Sequence, residues 1–253
     1  MTWLECAAVL LAGAAAGGIN TLVGSGTLIT FPVLLAFGVP PVTANMSNAI
    51  GLVPGSVAGA IGYRRELTGQ RDRIIRLSVG SMIGALAGAL LLLVLPPEAF
   101  EAIVPALIGL GVVLVVAGPR ISAWVRRRHG DDHLPDRWWV WPAVLGTGIY
   151  CGYFGAAQGV ILMAVLGIGV QESLQRLNGV KNILAAVGNG VAGLVFVAVA
   201  FDEIDWLVVA LVAVGAVLGA QVGAGIGRRL PDSVLRAVIV VVGLTALAAF
   251  LLR

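Results

Sequence analysis

Asn178, Lys181 and Asn182 are spaced three and four residues apart, so on a helix they share one face. Lys181 is the only lysine in the chain, and it lies a turn or so inside an apolar run. Asn189 stands seven residues beyond Asn182, two turns deeper on that face. An earlier set repeats the theme: Asn45 and Asn48 share a face, with Thr43 and Ser47 beside them. These groups are amides, hydroxyls and one cation, and apart from Glu5 at the very start of the first run no Asp or Glu lies inside an apolar run. Polar groups inside a membrane are costly and are candidates for function. A set of donors with one positive charge suits an anion.

Two glycine-rich breaks extend the set. Gly24-Ser25-Gly26-Thr27 precedes one short apolar run, and Gly155-Ala156-Ala157-Gln158-Gly159 precedes another. A helix opened by such a break presents free backbone N–H groups and a positive dipole end, both favourable to an anion. The candidate substrate-binding residues are therefore Gly24, Ser25, Gly26, Thr27, Asn45, Asn48, Gly155, Gln158, Asn178, Lys181 and Asn182. Each has a rival structural reading. Glycines let helices pack closely, Lys181 could snorkel to an interface, and Asn45 and Asn48 could cap a helix after Pro41. Asn20, Tyr150, Tyr153 and Asn189 read as interhelical glue or interfacial anchors rather than ligands.

The elements that must position these groups are membrane spans. The chain has 253 residues, of which 59% are hydrophobic and 11% charged, with a mean hydropathy of +1.00. Soluble domains carry about 25% charged residues. Here the charges gather in short blocks between apolar runs, and runs of ~20 residues cross a bilayer core. The net charge of +3 reflects 16 basic residues, all but one of them Arg and most in short loops; no basic face for nucleic acid exists outside those loops. Cys6 and Cys151 have no metal or redox spacing. His129 and His133, with Asp131 and Asp132, fit no standard zinc motif. No nucleophile with a nearby His lies in a span, and no phosphate-binding Gly-x-x-x-x-Gly-Lys stretch occurs, so neither hydrolase chemistry nor ATP hydrolysis is expected. No enzyme and no cofactor is expected. The N-terminal run lacks a basic leader segment and carries Glu5, so it is expected to remain as a span rather than be removed.

The stretch from Gly17 to Leu67 returns in fainter form from Gly148 to Val197. Gly24 and Gly38 recur 131 residues later as Gly155 and Gly169, and Asn45 recurs 133 later as Asn178. Each half of the chain holds an apolar pair interrupted by the break, then three full spans. The second member of the first pair, residues 27–38, covers ~18 Å as a helix, too little for a ~30 Å core. The pair therefore forms a span plus a half-helix, or a hairpin dipping into the membrane. Arg-rich loops at 64–76, 119–137 and 227–236 are expected in the cytoplasm, and the acidic loops at 96–101 and 201–205 outside. That places Asn45 near the external face and Asn178 near the cytoplasm. Two halves of opposite topology form an inverted repeat, a common transporter plan. The expected fold is an all-α polytopic membrane protein with ten helical segments and about eight spans. Residues 1–118 form the first repeat, 119–138 a cytoplasmic linker and 139–253 the second repeat.

The stretches GGINTLVGSGTLITFPVLLAFGVPP, ANMSNAIGLVPGSVAGAIGYRREL, GIYCGYFGAAQGV and LNGVKNILAAVGNGVAG, in that order, resemble the sulfite exporter TauE/SafE family over essentially the whole chain. The second break holds Ala156, Ala157 and Gln158 where the family often carries more glycine. The resemblance implies about eight spans in two homologous halves. It also implies movement of small sulfur-containing or organic anions, such as sulfite, sulfoacetate or sulfonates, across the cytoplasmic membrane. The expected partners are a small anionic substrate and the lipid bilayer. The absence of intramembrane carboxylates points to export driven by the membrane potential. Uptake by another coupling, or a scaffold without transport whose polar faces pack dry, are the alternatives.

Overall fold

The computed structural model describes residues 1–128, 136–226 and a few positions between 237 and 248, and all described secondary structure is helical. The expected last span 235–252 (apart from those positions), the histidine-containing stretch 129–135, and Arg228, Arg229 and Arg236 lie outside the described residues. Nine α-helices are described: α1 (Trp3–Leu22), α2 (Thr27–Ala36), α3 (Pro41–Gly62), α4 (Arg71–Val94), α5 (Pro97–Arg128), α6 (Val140–Tyr153), α7 (Gln158–Gly169), α8 (Leu174–Val199) and α9 (Trp206–Ile226). Among the described residues, α1, α4, α5, α8 and α9 are long and apolar enough to cross a membrane. Helix α3, with 22 residues, has the length but carries Thr43, Asn45, Ser47 and Asn48 in its first two turns. Helix α5 continues through Pro119, so the first ten residues of the expected linker are helical.

Local sequence sets the boundaries. Thr2 and Glu5 form a capping box at the start of α1: Glu5 N–H donates to Thr2 Oγ1 at 3.3 Å, and Thr2 N–H donates to Glu5 Oε2 at 2.7 Å. At its far end, the N–H groups of Val23 and Gly24 both reach the Ile19 carbonyl, at 2.7 and 2.9 Å. Helix α6 ends the same way, with Phe154 and Gly155 N–H on the Tyr150 carbonyl, both at 2.9 Å. Gly24 and Gly155 take φ of +85° and +76°, the left-handed region where a side chain is strained. The breaks thus repeat bond for bond at the 131-residue offset read from the sequence.

Beyond each break the chain turns back. Gly26 lies against the Ala16 backbone, which folds α2 onto α1. Gly59 of α3 lies against Thr21, Gly51 and Gly55 against Val212 and Ala216 of α9, and Gly13 and Gly17 of α1 against those same two residues. Rising numbers in all three helices make α1, α3 and α9 parallel. The broken pair is therefore a hairpin that returns to its starting side. Likewise Gly80, Gly84 and Gly88 of α4 meet Trp141, Leu145 and Ile149 of α6, so α4 and α6 run parallel. Helix α3 runs antiparallel to its counterpart α8, because Gly193 faces Ile50 while Gly179 faces Tyr63 and Leu67. The two copies are opposed, as the charge pattern requires. Helices α1, α3 and α9 form one packed group and α4, α6 and α8 the other; α3 and α8 meet between them.

Candidate functional site

Helix α8 aims three polar side chains at the end of α1. Lys181 Nζ donates to the Asn20 carbonyl at 2.9 Å and to the Thr21 carbonyl at 3.4 Å. Asn178 Nδ2 and Asn182 Nδ2 donate to the same Thr21 carbonyl, at 3.0 and 3.3 Å. The last carbonyls of a helix lack intrahelical partners and carry the negative end of its dipole. A cation and two amides are natural partners for them. Lys181 has no exposed surface at all, so it does not snorkel.

Helix α3 does the same to α6 with fewer groups. Asn45 Nδ2 donates to the Tyr153 carbonyl at 2.9 Å. Asn48, the counterpart of Lys181 at the 133-residue offset, stays within its own half: it accepts from Thr30 Oγ1 and donates to Thr27 Oγ1 at 3.4 Å. Pro40 flanks the start of α3 without a side-chain cap, so neither asparagine caps that helix.

The two breaks touch each other. Gly159 N–H donates to the Gly24 carbonyl at 2.9 Å, and a Cβ on either glycine would overlap the other's Cα. Most of the N–H groups expected free at the half-helix starts are already engaged. Gly26 N–H donates to Asn20 Oδ1 at 2.7 Å. Leu28 and Ile29 bond Ser25 and Gly26, and Gln158 and Val160 bond Gly155 and Ala157, each through a tight first turn.

Where the breaks meet lies a cavity of about 20 Å³, room for roughly one water. Of the sequence-predicted residues, Gly24, Thr27, Gly155, Gln158, Lys181 and Asn182 line it. Ser25, Gly26, Asn45, Asn48 and Asn178 do not. Asn20, Ser56, Gly159, Ala185 and Asn189 line it as well, and sequence reasoning left them out of the site. Signals for three of them existed: Asn20 stands one turn before Gly24, Ser56 two turns beyond Asn48, and Asn189 two turns beyond Asn182. Gln158 Nε2 is buried without a hydrogen-bond partner. The lining among the described residues holds one cation and no carboxylate.

The two ends of the bundle close differently. At the end where α4, α6 and α8 begin, Arg73 bridges Asp136 at 3.0 Å and Glu172 at 3.1 Å, and Arg176 reaches Glu172 at 2.6 Å. Arg76 also pairs with Asp136. Burial opposes ionisation of Glu172, but the hydrogen bonds from Arg176 and Arg73 outweigh it and hold its carboxyl below the usual range. At the opposite end Phe31, Phe100, Tyr153 and Phe154 interlock edge to face, with centroids 5.0 to 6.5 Å apart.

Comparison with known proteins bears on this geometry. The family described as Sulfite exporter TauE/SafE matches residues 9–251. The chain belongs to that family. Among TauE/SafE relatives, the probable membrane transporter protein YfcA of Escherichia coli (strain K12) is 26% identical over 235 residues, covering 90% of this chain and 82% of its own. The probable membrane transporter protein ORF9 of Sinorhizobium sp is 27% identical over 246 residues, covering 94% of this chain and 88% of its own. No solved structure matches. This TauE/SafE protein is thus a multi-pass transporter of the cell membrane, and its broken hairpins and buried lysine stand in a transport fold.

Proposed function

We propose that this TauE/SafE protein exports small sulfur-containing or organic anions, of the sulfite, sulfoacetate and sulfonate kind, driven by the membrane potential. The observation that carries the reading is the fully buried Lys181 amino group at a cavity whose lining among the described residues holds no carboxylate. A lone buried cation without a carboxylate partner is unfavourable unless negative charge joins it. The Asn20 and Thr21 carbonyls supply part of that charge, and an anion in the cavity supplies the rest. Lys181, Gln158, Asn182 and Thr27 would replace the water of the anion, with Gly24 and Gly155 letting the backbone approach. Ser25, Gly26, Asn45, Asn48 and Asn178 stand behind that lining. The cavity must widen to admit a sulfite-sized anion, so loading requires one end of the bundle to open.

Energetics favour the outward direction. A negative-inside potential drives anion exit by ~2.3 kcal/mol per charge per 100 mV. At about 150 mV this is ~3.5 kcal/mol, more than a hundredfold in concentration per charge. No second driver is needed. A scaffold without transport would have its polar faces packed dry; the polar cavity between the breaks supports transport instead.

The test is sulfite flux from proteoliposomes holding the full chain. Wild type should move sulfite faster when the potential favours its exit, and Lys181→Ala should lose most of that flux. Equal flux in the mutant would remove Lys181 from the mechanism. Flux indifferent to reversal of the potential would remove the driving force.

A further inference from the structure

We propose that Asn178 is a positioning residue: it keeps the end of α1 capped while Lys181 and Asn182 turn from that end to the transported anion. The inference rests on the anion reading of the cavity. It starts from a count at one atom. The Thr21 carbonyl accepts from Asn178 at 3.0 Å, Asn182 at 3.3 Å and Lys181 at 3.4 Å. A carbonyl oxygen has two lone pairs, so three side-chain donors exceed what it needs. The distances rank them, with Asn178 closest and the other two longer.

Position separates the three as well. Lys181 and Asn182 line the cavity, and Asn178 does not. Asn178 lies one turn nearer the start of α8, towards the ion-paired end. Its remaining polar atom, Oδ1, is buried and unpartnered. That atom is an acceptor and would repel an anion, so Asn178 is built to hold the helix end rather than to bind cargo.

Stripping every donor from a buried carbonyl costs much more than exchanging one. With Asn178 in place, Asn182 can leave Thr21 and Lys181 can redirect donors into the cavity without orphaning that oxygen. Lys181 has three donors and keeps its shorter bond, to the Asn20 carbonyl at 2.9 Å. Without Asn178, Lys181 and Asn182 must stay on the carbonyl or leave it bare, and the anion meets a site with fewer donors to give. The consequence reaches the bundle. Helix α1 belongs to one packed group and α8 to the other, so transferring two donors to cargo thins the junction between them. An unloaded protein keeps all three bonds and stays closed.

The counterpart end has no such reserve. Among the described residues the Tyr153 carbonyl receives one side-chain donor, Asn45, and Asn48 is committed to Thr27 and Thr30. Asn45 is therefore a plain clamp, and its loss should weaken the fold without touching anion affinity.

The experiment uses the full chain with sodium sulfite as probe. Two quantities are read: half-saturation of flux in proteoliposomes, and the sulfite-induced thermal shift in detergent. In Asn178→Ala, half-saturation should rise about three- to tenfold, the worth of one hydrogen bond, while maximal flux stays within about twofold. Asn178→Gln, which keeps the donor, should return towards wild type. Asn178→Asp, which lacks the donor, should not. If the alanine variant does not fold, Asn178→Ser against Asn178→Gln gives the same reading through the thermal shift. Asn45→Ala should lower the melting temperature and leave half-saturation unchanged. A wild-type response to sulfite with unchanged half-saturation in Asn178→Ala overturns this inference alone. Loss of maximal flux at constant half-saturation also overturns it, since Asn178 would then only hold the fold. No wild-type response to sulfite overturns the anion reading and this inference with it.

Discussion

The ends of α1 and α6 are the same device built twice. Each finishes with two N–H groups on one carbonyl and a left-handed glycine, and each is met by an asparagine from the opposite copy. They differ one helical turn further along. At the α1 end that position is Lys181, fully buried, reaching across to the other copy. At the α6 end it is Asn48, which turns back to Thr27 and Thr30. Shared parts build the broken helices; on the proposed reading the single unshared charge selects what the cavity holds. A repeat kept for its geometry has been made asymmetric for its chemistry.

The sharpest way to break that difference is to erase it. Lys181→Asn gives both ends the same residue and should cut sulfite flux about tenfold to a hundredfold, the scale of a charge-assisted hydrogen bond. Wild-type flux in that variant would show that the asymmetry is incidental. Next comes the contact between the breaks. Gly24→Ala sets a methyl group against Gly159 at a φ of +85° and should cost about 2–4 kcal/mol of apparent stability, read as faster thermal inactivation. Gly38→Ala has a similar φ of +78° but open space around its Cβ, so it should cost only about 1 kcal/mol. Equal losses would mean that backbone strain, not the meeting of the breaks, dominates.

The smallest effect belongs to the ion-paired end. Glu172 is held below the usual carboxylate range, so its contribution is present above the unfolded value of about 4.3 and is lost as pH falls through the lower folded value. Melting curves between pH 7 and pH 3 should show wild type losing slightly more stability than Glu172→Gln. Parallel curves would show that this network contributes nothing measurable. The aromatic end has no charged group in its cluster and should add no such pH dependence.

Much of this was legible from residue types and spacing. The breaks were readable because glycine clusters interrupt runs that are too short to span. The opposed halves were readable because arginines mark one side and acids the other. The shared face of Asn178, Lys181 and Asn182 followed from helical spacing alone. What those side chains touch did not follow, since their partners are carbonyls about 160 residues away. Backbone oxygens leave no mark in a sequence. For the same reason the N–H groups at the half-helix starts looked free, although Asn20 and the facing break occupy two of them and tight first turns occupy others. Asn20 was read as interhelical glue, and Ser56 stands two turns beyond the other polar groups of α3; only the meeting of the breaks brings both to one cavity.

The glycine contacts along α1 and α9, and along α4 and α6, have a mechanical meaning. Backbone there rests on backbone, with Gly17 against Ala216 and Gly84 against Leu145. At those two contacts no long side chain stands between the helices, and Trp141 against Gly80 is the bulky group at the start of the second seam. Each seam joins a helix from one copy to a helix from the other. The packed groups therefore do not follow the two copies: each is a chimaera that joins helices of both, and the cavity proposed for the anion lies where the two chimaeras meet.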